Sequence, residues 1–332
     1  MAKTIVVTGA TGTQGSSVVR VMLETGSWKV RAVTRNPESD SAKALAVKGA
    51  EVVAADYDDE TSIEKAFEPQ QLSHTCQGAH AIFALTNWWE YLRRGHSQEA
   101  SGDIEERQGM TLARAAAEVP TLEQYIWSTL PAAKELTGGK CPVPHFDYKA
   151  RVDRRIRDEL PALAAKTTSL FFGFYPSNFA FFPMLKPMPV PFFPGRYVWL
   201  VPSKKEAKIP ISGDMTVAPG VFVRQILANP SMTHGKYAAV CVEICTLDYL
   251  LKTWSEVTGK AGVFMEISVE SFTELLGMAG QEAALQLKFG EEVPDWYDHV
   301  KDHFVTKEEL GITTDEVPGF RASLEILKKH LP

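Results

Sequence analysis

The chain has 332 residues, 45% of them hydrophobic and 23% charged, and a formal net charge of -6 at pH 7. These are the proportions of a globular protein, long enough for one large domain or two ordinary ones and able to bury a sizeable core. A net negative charge argues against the clustered basic face that phosphate-backbone binding needs, so no direct nucleic-acid partner is expected.

The first strand is read from Lys3, which leaves no room for a signal or transit peptide, and no apolar run approaches the roughly 20 residues of a spanning helix. A soluble cytoplasmic chain without a membrane partner is expected, with entry to the nucleus left open. Cys76, Cys141, Cys241 and Cys245 are too few and too scattered for a disulfide framework. Cys241 and Cys245, in "AAVCVEIC", read as part of a buried strand, and no metal is assigned.

In chain order, "KTIVVT" (3–8) is a β-branched run that stops at "GATGTQG" and is followed by an amphipathic stretch, 16–24. That order is strand, glycine turn, helix. The alternation repeats with strands at 29–34, 50–56 and 79–85, helices at 39–48 and 61–68, a long helix at 98–118 and a strand at 124–129. Strands spaced by helical patterns predict βαβ units, and so an α/β fold of the Rossmann type: a doubly wound parallel sheet with helices on both faces. From 171 to 194 the chain is crowded with Phe and Pro and keeps neither period. The domain boundary is placed there, with a dinucleotide-binding domain over 1–175 and a smaller C-terminal α/β region over 176–332 that lines the cleft and is interleaved with the first sheet. In that second region 216–229, 246–259 and 269–287 read as helices and 235–244 as one strand.

Gly9, Gly12 and Gly15 have G-x-x-G-x-x-G spacing between a strand and a helix. The first suits a tight turn, the second lets backbone approach a pyrophosphate, and the third permits close helix packing, while the helix N-terminus offers free N–H groups. Thr11 and Gln14 lie in the same turn and are taken with it as cofactor-binding positions. Arg35 follows the second strand, where an acid would hold the ribose 2′-hydroxyl of NAD and an arginine can pair with the 2′-phosphate of NADP. NADP(H) is therefore the expected cofactor. Lys43 could add a second positive charge, although an exposed helix lysine is the commoner reason for it. By analogy with the fold, Asp56 and Tyr57 lie near the adenine, and Thr86 and Asn87 near the middle of the cofactor.

Together, "TGATGTQG", "VRAVTRNP", "ALTNWWE", "IWSTL" and "HFDYKARVD" resemble the NmrA-like branch of the atypical short-chain dehydrogenase/reductases over nearly the whole chain. The resemblance implies a Rossmann domain, a smaller C-terminal region beside a cleft, and binding of NADP(H) or NAD(H). It also implies one of two roles, because the group holds nicotinamide-dependent reductases as well as regulators that report the state of the cofactor to a protein partner.

Typical short-chain reductases carry Tyr-x-x-x-Lys on one helical face, where the lysine holds the nicotinamide ribose and lowers the tyrosine pKa, and the tyrosine protonates the substrate oxygen. Here the frame reads His145-Phe146-Asp147-Tyr148-Lys149, with a histidine in the acid's place. Tyr148, one residue before the lysine and about 100° round the helix, is a further catalytic candidate that could take over only with a local distortion. Lys149 keeps its cofactor role, and His145 either acts as the acid or caps and packs the helix start. Ser128 is the candidate for orienting a substrate carbonyl. "GFYPSNF" (173–179) resembles the family's cleft segment, with Tyr175 and Asn178 as polar groups among Phe172, Phe174 and Phe179. The stretch 87–97, with Trp88, Trp89, Tyr91, Arg93 and Arg94, reads as a loop suited to a partner surface or a lid. The leading reading is a cofactor-responsive redox sensor and regulator acting through a protein partner. The alternative is an NADPH-dependent reductase of a hydrophobic carbonyl, enone or imine. A partner-binding scaffold with a degenerate nucleotide site is a third and weaker idea, and a homodimer is left open.

Overall fold

Strand β1 (Lys3–Val7) is buried from Thr4 to Val7, on both faces. Burial on both faces explains why it reads as a continuous apolar run, as the central strands of parallel sheets do. The elements α1 (Thr13–Glu24), β2 (Trp28–Thr34), α2 (Asp40–Val47), β3 (Glu51–Ala54) and α3 (Glu60–Phe67) follow. Next come β4 (Ala81–Ala84), α4 (Trp88–Arg93), α5 (Gln98–Ala117), β5 (Gln124–Thr129), α6 (Ala133–Leu136), α7 (Pro144–Glu159) and β6 (Thr167–Phe172). The computed structural model describes residues 2–68 and 78–332, and Cys76 lies outside them. Helix starts are set by side-chain caps: Ser39 accepts from the Ala42 amide, Asp59 from Ser62 and Ser97 from Ala100. Helix α7 begins instead with Pro144 in its first turn, where a missing N–H costs nothing.

One eight-stranded sheet results, in the order 304–305, 237–240, β6, β5, β4, β1, β2, β3, and every pair in it is parallel. The strand order reverses between β1 and β4. Loops after those two strands therefore diverge and leave a crevice at the carboxyl ends of the strands. One face of the sheet is covered by α1, α2 and the helix Ala218–Ala228, the other by α3, α5 and α7. A third apolar cluster joins Phe146 of α7 to the C-terminal elements through Trp199, Trp254, Phe289 and Trp296.

The C-terminal part of the sequence supplies strands Tyr237–Val240 and Phe304–Val305 to the large sheet. Its other strands form two small sheets, one pairing Lys208–Ile211 with Glu243–Thr246 and one ordered Ala261–Glu266, Arg196–Val201, Met188–Pro189. The expected single strand over 235–244 is thus two strands in different sheets. Val240 pairs with Phe172, while Glu243 pairs with Ile211, so the chain breaks at Cys241 to change partners. The helix expected over 269–287 extends over Val269–Glu292 and is interrupted at Gly277, whose φ of 69° is closed to most side chains. The stretch read as a loop at 87–97 forms α4, because Trp88 is buried and its indole donates to the Gln98 carbonyl at 3.2 Å. Among the described residues no helix is long and apolar enough to cross a membrane.

Helices α5 and α7 approach unusually closely because Gly102 and Gly109, seven residues apart, lie on one face of α5. A Cβ on Gly102 would overlap the Tyr148 ring, and one on Gly109 would stand 2.8 Å from Val152. Gly102→Ala should therefore lower unfolding free energy by about 1–3 kcal/mol, the usual cost of overpacking, read from denaturant titration; an unchanged midpoint would show that the helices separate freely.

Candidate functional site

The site is built where β1 and β4 part. Gly9 ends β1 with φ of 56°, a left-handed turn in which a Cβ would also meet Leu85 at 3.0 Å. A Cβ on Gly15 would overlap the Gly9 carbonyl, so glycine there seats α1 against the turn. Gly12 is exposed in the crevice, and a Cβ on it would meet only the Gly9 oxygen, at 3.3 Å, before projecting into open space. Backbone at the start of α1 is thus open to a phosphate-sized group. Two cavities, of about 420 and 590 Å³, share Gly9, Gly12, Leu85, Thr86 and Asn87, so they run as one elongated cleft over the glycine turn. That shape and its glycine floor fit a dinucleotide.

Thr11, Arg35, Asp56 and Tyr57 line one end, beside Asn36, Ser39 and Glu90. Both terminal nitrogens of Arg35 donate to Glu90, at 2.6 and 2.9 Å, and that hydrogen bond raises the guanidinium pKa further. Burial pushes the Tyr57 phenol up. Lys43 pairs with Glu38 at 3.2 Å and does not line the cleft.

Lys149 occupies the middle. Its ammonium donates to the Thr86 carbonyl at 3.0 Å and to the Thr86 hydroxyl at 2.9 Å, and pairs with Glu105 at 2.9 Å. Those contacts match the three N–H donors of an ammonium, so a ribose hydroxyl could engage it only by exchange. Glu105 has no solvent access and also accepts from the Thr86 hydroxyl and the Trp88 amide, at 2.8 and 3.1 Å. Its second oxygen, Oε2, is buried without a hydrogen-bond partner.

At the far end three expected residues form a chain: the Ser128 hydroxyl donates to Gln14, and the Gln14 amide donates to the Tyr175 hydroxyl, each at 2.8 Å. Burial pushes the Tyr175 phenol up to about 12. His145 lines the same cavity as Lys149, Ser128, Tyr175 and Asn178. Its Nδ1 hydrogen-bonds Glu282, which is fully buried, accepts the His145 amide at 2.8 Å and is held from behind by Gln98 at 2.8 Å. The imidazole packs against the adjoining rings of Trp88 and Trp89, with centroids 5.8 and 5.2 Å away. Among the described residues Nε2 has no protein partner.

Two expected residues are placed elsewhere. Tyr148 packs on Gly102 of α5 with the Arg151 guanidinium 4.1 Å from its ring, and does not line the cleft. Phe179 is fully buried against Trp199 and Phe320 in the C-terminal core, whereas Phe181 and Phe182 line the cavity in its stead. The loop expected at 87–97 is a helix with Trp88 and Tyr91 buried, so its aromatic residues are mostly wall and not free surface. Sequence reasoning missed Glu90, Glu105 and Glu282. Glu105 left one signal, an acid between Gly102 and Gly109 on the packed face of α5; Glu282 lies 137 residues from His145 and left only an acid among the small and apolar residues of "MAGQEAALQL".

The buried pair has a thermodynamic consequence. Lys149→Met strands the Glu105 charge and should cost about 3 kcal/mol of stability, since removing one partner leaves an uncompensated buried ion. The double variant with Glu105→Gln should recover most of that loss in denaturant titration; additive losses would refute the coupling.

The NmrA-like family model matches residues 1–312. The NmrA-like family domain-containing oxidoreductase himF of Aspergillus japonicus is 28% identical over 288 residues, covering 82% of this chain and 78% of its own. Among solved structures, NmrA, a negative transcriptional regulator in complex with NAD, superposes with a TM-score of 0.68 at 24% identity over 87% of this chain and 82% of its own. An NADPH-dependent quinone oxidoreductase of Escherichia coli, complexed with NADPH, superposes with a TM-score of 0.67 at 20% identity over 97% and 99%. Those two likenesses share the Rossmann-type architecture of the parallel sheet. The chain belongs to the NmrA-like family.

Proposed function

We propose that the protein is an NADPH-dependent reductase acting on a flat, hydrophobic carbonyl, enone or imine. The observation that carries this reading is His145: an imidazole lining an aromatic cavity, bonded through Nδ1 to a buried glutamate, with no protein partner on Nε2 among the described residues. A histidine that merely capped the helix would need neither the carboxylate nor the cavity. The relatives named as oxidoreductases point the same way.

A bound nicotinamide would supply the hydride to the electrophilic carbon. The chain's residues do the rest. Glu282 keeps a proton on Nδ1, so the proton that leaves comes from Nε2 and goes to the oxygen or nitrogen on which negative charge develops. Ser128, anchored through Gln14, can hold that atom in place. Trp88, Trp89, Phe146, Phe172 and Phe182 exclude water and give π faces to a planar substrate. Lys149 fixes Thr86, and with it the narrow middle of the cleft; its charge is balanced by Glu105, so it serves to position the dinucleotide more than to act as an acid.

The sensor reading drew on the missing tyrosine and on an exposed aromatic loop. The histidine has its own carboxylate, and the loop is a packed helix, so the reductase reading has the better support. It is tested by NADPH consumption against quinones, aldehydes, enones and cyclic imines. His145→Gln should lower kcat by about 10²-fold, the usual contribution of a general acid, with NADPH affinity retained. Glu282→Gln should lower kcat by about tenfold through loss of ring orientation. NADPH binding with no consumption by any of these classes would return the balance to the sensor.

A further inference from the structure

Arg35 is the residue expected to meet a 2′-phosphate, yet its guanidinium already holds the carboxylate of Glu90 in the two-pronged manner that suits an oxyanion. Glu90 belongs to α4, and α4 is the partition between the two halves of the cleft. Its Glu90 and Tyr91 line the ribose end, while Trp88, Trp89 and Arg93 line the far end. A second arginine, Arg94, donates to the same Glu90 oxygen from the exposed side of the helix.

We propose that Glu90 occupies the place of a 2′-phosphate on Arg35, so that it sets discrimination between phosphorylated and unphosphorylated dinucleotides and passes phosphate occupancy along α4 to the far end of the cleft. The inference rests on the dinucleotide reading of the cleft and not on hydride transfer.

The chemistry differs between the two cofactors at one atom. An unphosphorylated ribose offers a 2′-hydroxyl, which can donate to the Glu90 carboxylate while Arg35 stays paired. A 2′-phosphate brings close to two negative charges to the same guanidinium and is repelled by the carboxylate there. Glu90 must then leave Arg35, and Arg94 can retain it. Asn36, Ser39 and Ser41 line the same end and offer hydroxyl and amide donors to the phosphate. Release of Glu90 frees α4 from its tie to the end of β2. The same short helix carries Trp88 and Trp89, whose adjoining rings pack against His145, and the Trp88 amide donates to Glu105, the partner of Lys149. Occupancy at the 2′ position is thereby felt at both residues of the opposite half.

The test is a set of calorimetric titrations of the whole protein with NADPH and NADH, together with tryptophan fluorescence on adding adenosine 2′,5′-bisphosphate or ADP. Glu90→Gln should shift the affinity ratio toward NADPH by about fivefold, the scale of one partly exposed charge pair. Arg94→Ala, which removes the group that receives the displaced carboxylate, should shift it toward NADH. The bisphosphate, which has no nicotinamide, should change the fluorescence of the wild type where ADP does not, and Trp89→Phe should reduce that change. A ratio unmoved by Glu90→Gln, or an Arg94→Ala shift toward NADPH, overturns the inference while leaving dinucleotide binding intact. Failure of both dinucleotides to bind would refute the cofactor assignment itself.

Discussion

Glu105 is a carboxylate without access to solvent, and its polar partners belong to the wall of the cleft: the Lys149 ammonium, the Thr86 hydroxyl and the Trp88 amide. A buried acid needs its charge matched, and here one oxygen of Glu105 takes every bond while Oε2 has none. Here the match is possible because Gly102 and Gly109 let α7 lie almost on the backbone of α5, which brings Lys149 within reach. The node therefore ties four parts of the chain together: the loop after β4, the start of α4, the middle of α5 and the second turn of α7. Remove the glycines and the pair separates; remove the pair and the narrow middle of the cleft loses its support.

The same device occurs at both ends. Arg35 has Glu90, Lys149 has Glu105 and His145 has Glu282, so each of these three basic groups along the cleft is held by its own glutamate. Positive charge alone would attract any phosphate. Glutamates fixed behind or beside the cations reduce that attraction and leave geometry to decide what binds. The burial differs along the row: Glu105 and Glu282 are sealed in, whereas Glu90 is partly exposed and bonded by two arginines. Only the outer pair can exchange partners cheaply, which is the physical basis for assigning it a switching role and the inner pairs a positioning one.

Much of this architecture was legible in the sequence, and the limits are informative. The βαβ alternation, the glycine turn and the parallel sheet follow from local periodicity and turn chemistry, which act within a few residues. Lys149 and His145 could be paired because four residues on a helix share a face. Partners supplied by other elements left little trace. Nothing near His145 announces Glu282, and nothing near Arg35 announces Glu90. The strand expected over 235–244 divides because two different sheets compete for it, a tertiary decision invisible to its own alternation. Phe179 faces core and not cavity for a related reason: the facing of the single turn Asn178–Phe181 is set by packing on Trp199 and Phe320 from distant parts of the chain.

Helix α4 shows how these pieces become one mechanism. It is six residues long and carries no side-chain cap at its start, so its own hydrogen bonds cannot fix its position. It is held instead by bonds to other elements: Glu90 to Arg35, the Trp88 indole to Gln98 and its backbone amide to Glu105, and Tyr91, whose hydroxyl is bonded by Gln108. Three of those anchoring residues, Gln98, Glu105 and Gln108, are on α5, and the fourth, Arg35, follows β2. In the proposed exchange the end of α4 that carries Glu90 would be released from Arg35 while the bonds to α5 remain. Trp89 has no hydrogen bond to α5 among the described residues and packs against both Trp88 and His145. In the proposed exchange a small change of charge at the ribose would thus reach the candidate acid through Trp89.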